Sequence, residues 1–179
     1  MKRLYVPGIL FLLTISEGVA LDLLPPGIVS GDYLIIPHWV LIFLVMLAIF
    51  YDKESTYYSV LYALAFGFLI DIVYTGILGV YMFSYAAAVY LAHGLKKILH
   101  DNILTALLLG MLGIVAADIF IYVIYMIVGT AAMIWENYLM YRLLPTVLAN
   151  LFFLIIFYPI IVKRLEKWSE MQVFDRNRF

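Results

Sequence analysis

Four carboxylates stand in stretches where almost nothing else is polar: Glu17, Asp22, Asp71 and Asp118. A charged acid inside hydrocarbon costs roughly 2.5–3.5 kcal/mol on insertion scales, so each of these must face protein or water. An acid in such a place can relay a proton, pair with a second acid for hydrolysis, engage a partner, or hold helices in register. No Lys or Arg lies within the apolar stretches themselves. The acids are therefore either neutralised by a proton or accept hydrogen bonds from Tyr, Ser, Thr, Asn and backbone donors. Arg142, at an outer edge, is placed to reach Asp22.

The catalytic templates are absent. There is no HExxH, no Ser-His-Asp set in register and no phosphate-cradling glycine loop. Asp71 and Asp118 could supply the two acids of an intramembrane aspartyl site. Neither has the Tyr-Asp or Gly-x-Gly-Asp context of such proteases. The absence of cysteine removes disulfides, thiolate metal sites and thiol nucleophiles together. The three histidines, His38, His93 and His100, are scattered, so neither a metal nor another cofactor is expected. His93 reads as an interface residue snorkelling from the inner end of its helix.

The elements that must carry these acids are membrane helices. Of the 179 residues, 66% are apolar and 13% charged, about half the charged share of a soluble domain. The net charge of −1 argues against a nucleic-acid partner. Apolar runs fall at residues 4–24, 37–51, 57–74, 78–95, 103–128 and 143–162, predicting an all-α integral membrane fold of six transmembrane helices in one bundle, a single domain over residues 1–179. The first run is longer than a signal peptide's apolar region and ends in Pro25-Pro26-Gly27 without a cleavage site, so it reads as a retained helix. Residues 25–36 form a turn-rich loop, with Pro37 in the first turn of the next helix.

Charge sets the orientation. With six spans, ten of the eleven Lys and Arg residues fall on the side of both termini and only Arg142 on the other. The positive-inside rule then puts the short N-terminus and the basic C-terminal tail, residues 163–179, in the cytoplasm. The tail reads as a cationic stop signal whose aromatics rest on the anionic inner leaflet, or as a contact site for cytoplasmic proteins. The outer segment 129–142, with Trp135, Tyr138 and Tyr141, reads as a short helix or extended turn in the interface. It is an aromatic belt or a docking ledge for a partner.

Residues 67–91, GFLIDIVYTGILGVYMFSYAAAVYL, form the expected centre of organisation. Asp71 points inward there, and Gly67, one turn earlier on the same face, lets a neighbouring helix approach the acid. A weaker echo of this spacing occurs at Gly18/Asp22 and Gly113/Asp118. Gly67, Asp71, Gly76, Gly79 and the run 84–91 resemble the central hairpin of the MreD family of bacterial rod shape-determining membrane proteins. Leu144, Pro145 and Asn150 are similar to the opening of that family's last helix. The resemblance extends over nearly the whole chain.

It implies a non-enzymatic scaffold of the cell-elongation machinery in the cell membrane. Such a scaffold binds the single-span protein MreC and through it links MreB filaments to peptidoglycan synthases of the RodA and class B penicillin-binding protein type. Gly67, Asp71, Gly76, Gly79, Asp118, Pro145 and Asn150 are then the structural or partner-binding candidates. The family also resembles the six-helix substrate-binding subunits of vitamin transporters, which makes a small-molecule binding subunit the alternative. Such subunits carry an Ala-x-x-x-Ala stripe on their first helix. Here that helix has Ala20 alone, and the spacing appears instead at Ala88 and Ala92.

Overall fold

The computed structural model describes residues 5–23, 33–131 and 133–176, with side chains at 5–20, 33–131 and 133–170. Residues 25–32 of the loop expected at 25–36, the side chain of Asp22 and the end of the basic tail lie outside the described residues. What is described is helix and turn, with no strand. In chain order the helices are α1 (Tyr5–Leu23), α2 (Trp39–Phe50), α3 (Tyr58–Ile70), α4 (Val80–Leu95), α5 (Ile103–Val128), α6 (Trp135–Tyr138) and α7 (Leu144–Arg176).

The bundle is organised around α2, not around the 67–91 hairpin. Its sequence, WVLIFLVMLAIF, is apolar on every face, and a helix of that kind has no stable place at a surface. Residues 40–50 are all buried. α1, α3, α4, α5 and α7 each pack against it. The outer ring closes where Tyr5 of α1 stacks on Trp168 of α7, ring centroids 5.9 Å apart. The outside of the bundle is also apolar, with Phe11, Leu61, Phe68, Leu104, Leu148 and Phe152 exposed. Apolar side chains on both sides of the same helices are what a lipid surround requires.

Three helical runs are long and apolar enough to cross a membrane: Tyr58–Thr75, Ile103–Val128 and Trp135–Glu170. α2, with 12 residues, spans about 18 Å at ~1.5 Å per residue. That is short of a ~30 Å hydrocarbon core. The last run begins at Trp135 rather than at residue 143, because α6 continues through a wide π-helical turn, Leu139–Leu143, directly into α7. The aromatic segment is thus the upper part of the last helix. Tyr138 within it is fully buried.

A second wide turn, Asp71–Thr75, extends α3 and ends at Gly76, whose backbone N–H reaches the Asp71 carbonyl at 3.2 Å. Gly76 and Gly79 take positive φ, 69° and 97°, the left-handed region that a side chain disfavours. Together they reverse the chain in four residues between Thr75 and Val80. Gly67 meets α4 closely. A Cβ placed there lies 2.7 Å from the Met82 Cα and from the Tyr81 carbonyl oxygen, so only glycine permits this α3–α4 contact.

Candidate functional site

Every helix start leaves backbone N–H groups without partners in its own helix, a serious cost where no water reaches. At the starts of α2, α3 and α4 acids from other segments supply missing acceptors, whereas α5 is capped by the adjoining Asn102. Glu17 of α1 accepts the N–H of Val40 at 2.7 Å, at the first turn of α2. Asp52, just after α2, accepts both the N–H and the hydroxyl of Ser59 at the start of α3. Asp71 accepts three N–H groups at the start of α4, from Gly79 at 2.9 Å, Tyr81 at 2.8 Å and Met82 at 3.1 Å. An anion at the positive end of a helix is also favoured by the helix dipole.

The opposite end of α2 receives a cation. Lys96, which follows α4, donates its ammonium protons to the carbonyls of Ala48, at 2.6 Å, and of Ile49 and Asp52. The first two are among the carbonyls that the end of α2 leaves open. His93 is buried beneath them, 4.6 Å from the Tyr57 ring and 4.0 Å from Asp52. It is not the snorkelling residue expected, because Tyr57 and Asp52 close over it.

Asp118 differs from the other acids in having side chains, not a helix start, as its partners. It lies fully buried on α5. Its Oδ2 accepts the Tyr138 hydroxyl at 2.8 Å and its Oδ1 accepts Arg142 Nη2 at 3.1 Å. The Nε2 of His38 stands 3.5 Å from Oδ1. The other ring nitrogen of His38 is 2.8 Å from the Tyr85 hydroxyl of α4. An Nε2–H tautomer turns its proton to the carboxylate and leaves Nδ1 to accept from Tyr85. Arg142 therefore pairs with Asp118; the Asp22 side chain lies outside the described residues.

The same knot holds the approach to α2. Thr146 and Asn150 of α7 act as rungs for the extended segment before Trp39. Thr146 accepts the N–H of Ile36 at 3.1 Å, and Asn150 accepts that of His38 at 2.7 Å while donating to the Ile36 carbonyl at 2.8 Å. Pro145 has no N–H to give the Tyr141 carbonyl four residues back. That carbonyl accepts the N–H of Leu34 instead, at 2.7 Å.

Of the residues singled out from sequence, Gly67, Asp71, Gly76 and Gly79 meet at one turn, Asp118 and Asn150 meet across His38, and Pro145 frees the Tyr141 carbonyl for Leu34 of the same entry segment. These two groups make no direct bond. Asp71 and Asp118 have separate partner sets and do not form an acid pair. His38, Tyr85, Tyr138, Lys96 and Glu17 as a cap escaped the sequence reading. The signal for His38 was present: a lone histidine directly before twelve apolar residues has to be buried with them. No group of three or more His, Asp or Glu side chains suited to a metal ion occurs among the described residues.

No solved structure matches the chain. A curated relative, the rod shape-determining protein MreD of Bacillus subtilis (strain 168), is 29% identical over 151 residues, covering 84% of this chain and 86% of the relative. The family model described as rod shape-determining protein MreD matches residues 2–168. With nearly the whole chain matched, including both polar groups described above, this membrane protein belongs to the MreD family and has its place in the determination of cell shape.

Proposed function

We propose that the protein is a non-enzymatic scaffold of the cell-elongation machinery, a bundle of six spans with both termini in the cytoplasm. In this reading it binds an MreC-type single-span protein. Through that partner it links MreB filaments to RodA and class B penicillin-binding protein synthases. The observation that carries the reading is the commitment of the buried acids to internal partners. Glu17, Asp52 and Asp71 complete helix starts, and Asp118 is held by Tyr138, Arg142 and His38. Acids so engaged serve rigidity, and a rigid bundle can present a fixed outer surface to other helices. Gly67, Asp71, Gly76, Gly79, Asp118, Pro145 and Asn150 act in this reading by fixing that surface.

The test is affinity purification of the tagged protein from native membranes in mild detergent, with identification of everything retained. The expected outcome is a single-span protein together with wall synthases. Recovery of ATPase subunits and a soluble metabolite would overturn the scaffold reading in favour of a transporter subunit.

A further inference from the structure

A cavity of about 500 Å³ opens at the Arg142 end of the bundle, between the π turn after α3, the start of α4, the end of α5 and α6. Its walls include Tyr74, Thr75, Tyr81, Tyr125, Tyr138 and Arg142. The scaffold reading assigns it no role. Arg142 is the one charged side chain in this lining. Its counter-ion Asp118 is fully buried, does not line the cavity, and takes a hydrogen bond from Nη2 alone. The Nε of Arg142 is buried with no hydrogen-bond partner. The Tyr81 hydroxyl likewise has no hydrogen-bond partner among the described residues, whereas those of Tyr74, Tyr122 and Tyr138 are bonded to Thr14, Met133 and Asp118.

We propose that this cavity binds a phosphate group, carried by a lipid headgroup or by a soluble phosphomonoester. A guanidinium that gives its counter-ion a single hydrogen bond and stands in a partly desolvated wall favours an ionised, acceptor-rich group, and its planar fork suits phosphate. A tetrahedral phosphate also offers oxygens in more than one plane, so it can meet Arg142 and the Tyr81 hydroxyl at once. The volume suits a headgroup rather than a whole lipid. Trp135 and Tyr33, both exposed at this end, are residue types that settle at headgroup level, so the cavity opens where lipid phosphates lie.

The full-length protein in detergent can be titrated with phosphatidic acid, with diacylglycerol of the same chains and with glycerol 3-phosphate. Native mass spectrometry gives the readout for every variant, and the tryptophan fluorescence, to which Trp39, Trp135 and Trp168 all contribute, gives a second one for the parent and Tyr81→Phe. Phosphatidic acid is expected to bind saturably and diacylglycerol not to. Ala131→Trp fills the cavity from its wall without touching the Asp118 partners, and is expected to weaken binding by at least about tenfold. Tyr81→Phe removes one hydroxyl and should weaken it by about ten- to a hundredfold, the scale of one hydrogen bond to a charged group. Both variants should keep the parent's melting temperature. Competition by glycerol 3-phosphate supports the proposal with a soluble ligand; binding that resists it supports a lipid-borne one. Equal retention of phosphatidic acid and diacylglycerol, or unchanged binding by both Ala131→Trp and Tyr81→Phe, would overturn it.

Discussion

At Asp71 one carboxylate supplies three hydrogen bonds to the start of a helix other than its own. Replacing it with alanine leaves those N–H groups without acceptors where water is scarce. A buried unsatisfied group costs about 1–3 kcal/mol, so Asp71→Ala should lower the unfolding free energy by about 2–4 kcal/mol. Asp71→Asn, which keeps one acceptor oxygen, should fall between. Thermal melts in detergent measure both, and a melting temperature unchanged in Asp71→Ala would remove the capping argument. Gly67→Ala acts on the same contact from the other side. Its Cβ meets main chain, which cannot swing away as a side chain can, and overpacking of this kind costs typically about 1–3 kcal/mol.

Asp52 lies outside the spans, and burial pushes its carboxyl above the usual range, against the lowering effect of the Ser59 bonds. Because the folded state holds this proton more tightly than the unfolded one, stability from this group is present at low pH. It is lost as pH rises through the folded-state value. The melting temperature of the parent relative to Asp52→Asn should therefore decline over the interval that runs upward from the usual carboxylate range. A difference that is flat or rises over that interval would contradict the burial effect.

Among the described elements, α2 is the one whose two ends are finished by long polar side chains from elsewhere, Glu17 and Lys96. Lys96→Met should destabilise the bundle by about 1–2 kcal/mol, the order of a charged hydrogen bond with its helix-end interaction. Lys97→Met, at an exposed neighbour, should have no measurable effect. Equal melting temperatures for the two variants would show that the ammonium position does not matter. The apolar runs and their polar breaks were legible in the sequence because span length and loop charge are local properties. Asp71 and Gly67 were legible as a pair for the same reason, being one helical turn apart. The central place of α2 was less so. Its twelve apolar residues look like a short span until the neighbours that surround it are known. The bonds from Glu17, Lys96 and Asn150 cross 23, 48 and 112 residues, and nothing in local spacing encodes such separations. The partners of Asp118 were missed through the same distance in sequence, and the early start of the last helix through the aromatic look of residues 135–141.

For the whole molecule, ten basic residues against one predict the sidedness of the bundle. The chain contains no cysteine, so single introduced cysteines report location without background. Thr130→Cys should react with an impermeant maleimide on intact spheroplasts, whereas Ser169→Cys should react only after the membrane is opened. Labelling of Ser169→Cys on intact spheroplasts would refute the orientation.

The clasp of Thr146 and Asn150 on the segment before α2 also bears on the order in which the protein is made. α2 leaves the ribosome about a hundred residues before the side chains that satisfy its entry segment. Until the last helix arrives, the backbone at Ile36 and His38 stays open and the most apolar helix lacks part of its enclosure. The step that closes the centre thus comes late in synthesis, and a chain halted before Thr146 carries an unfinished interior.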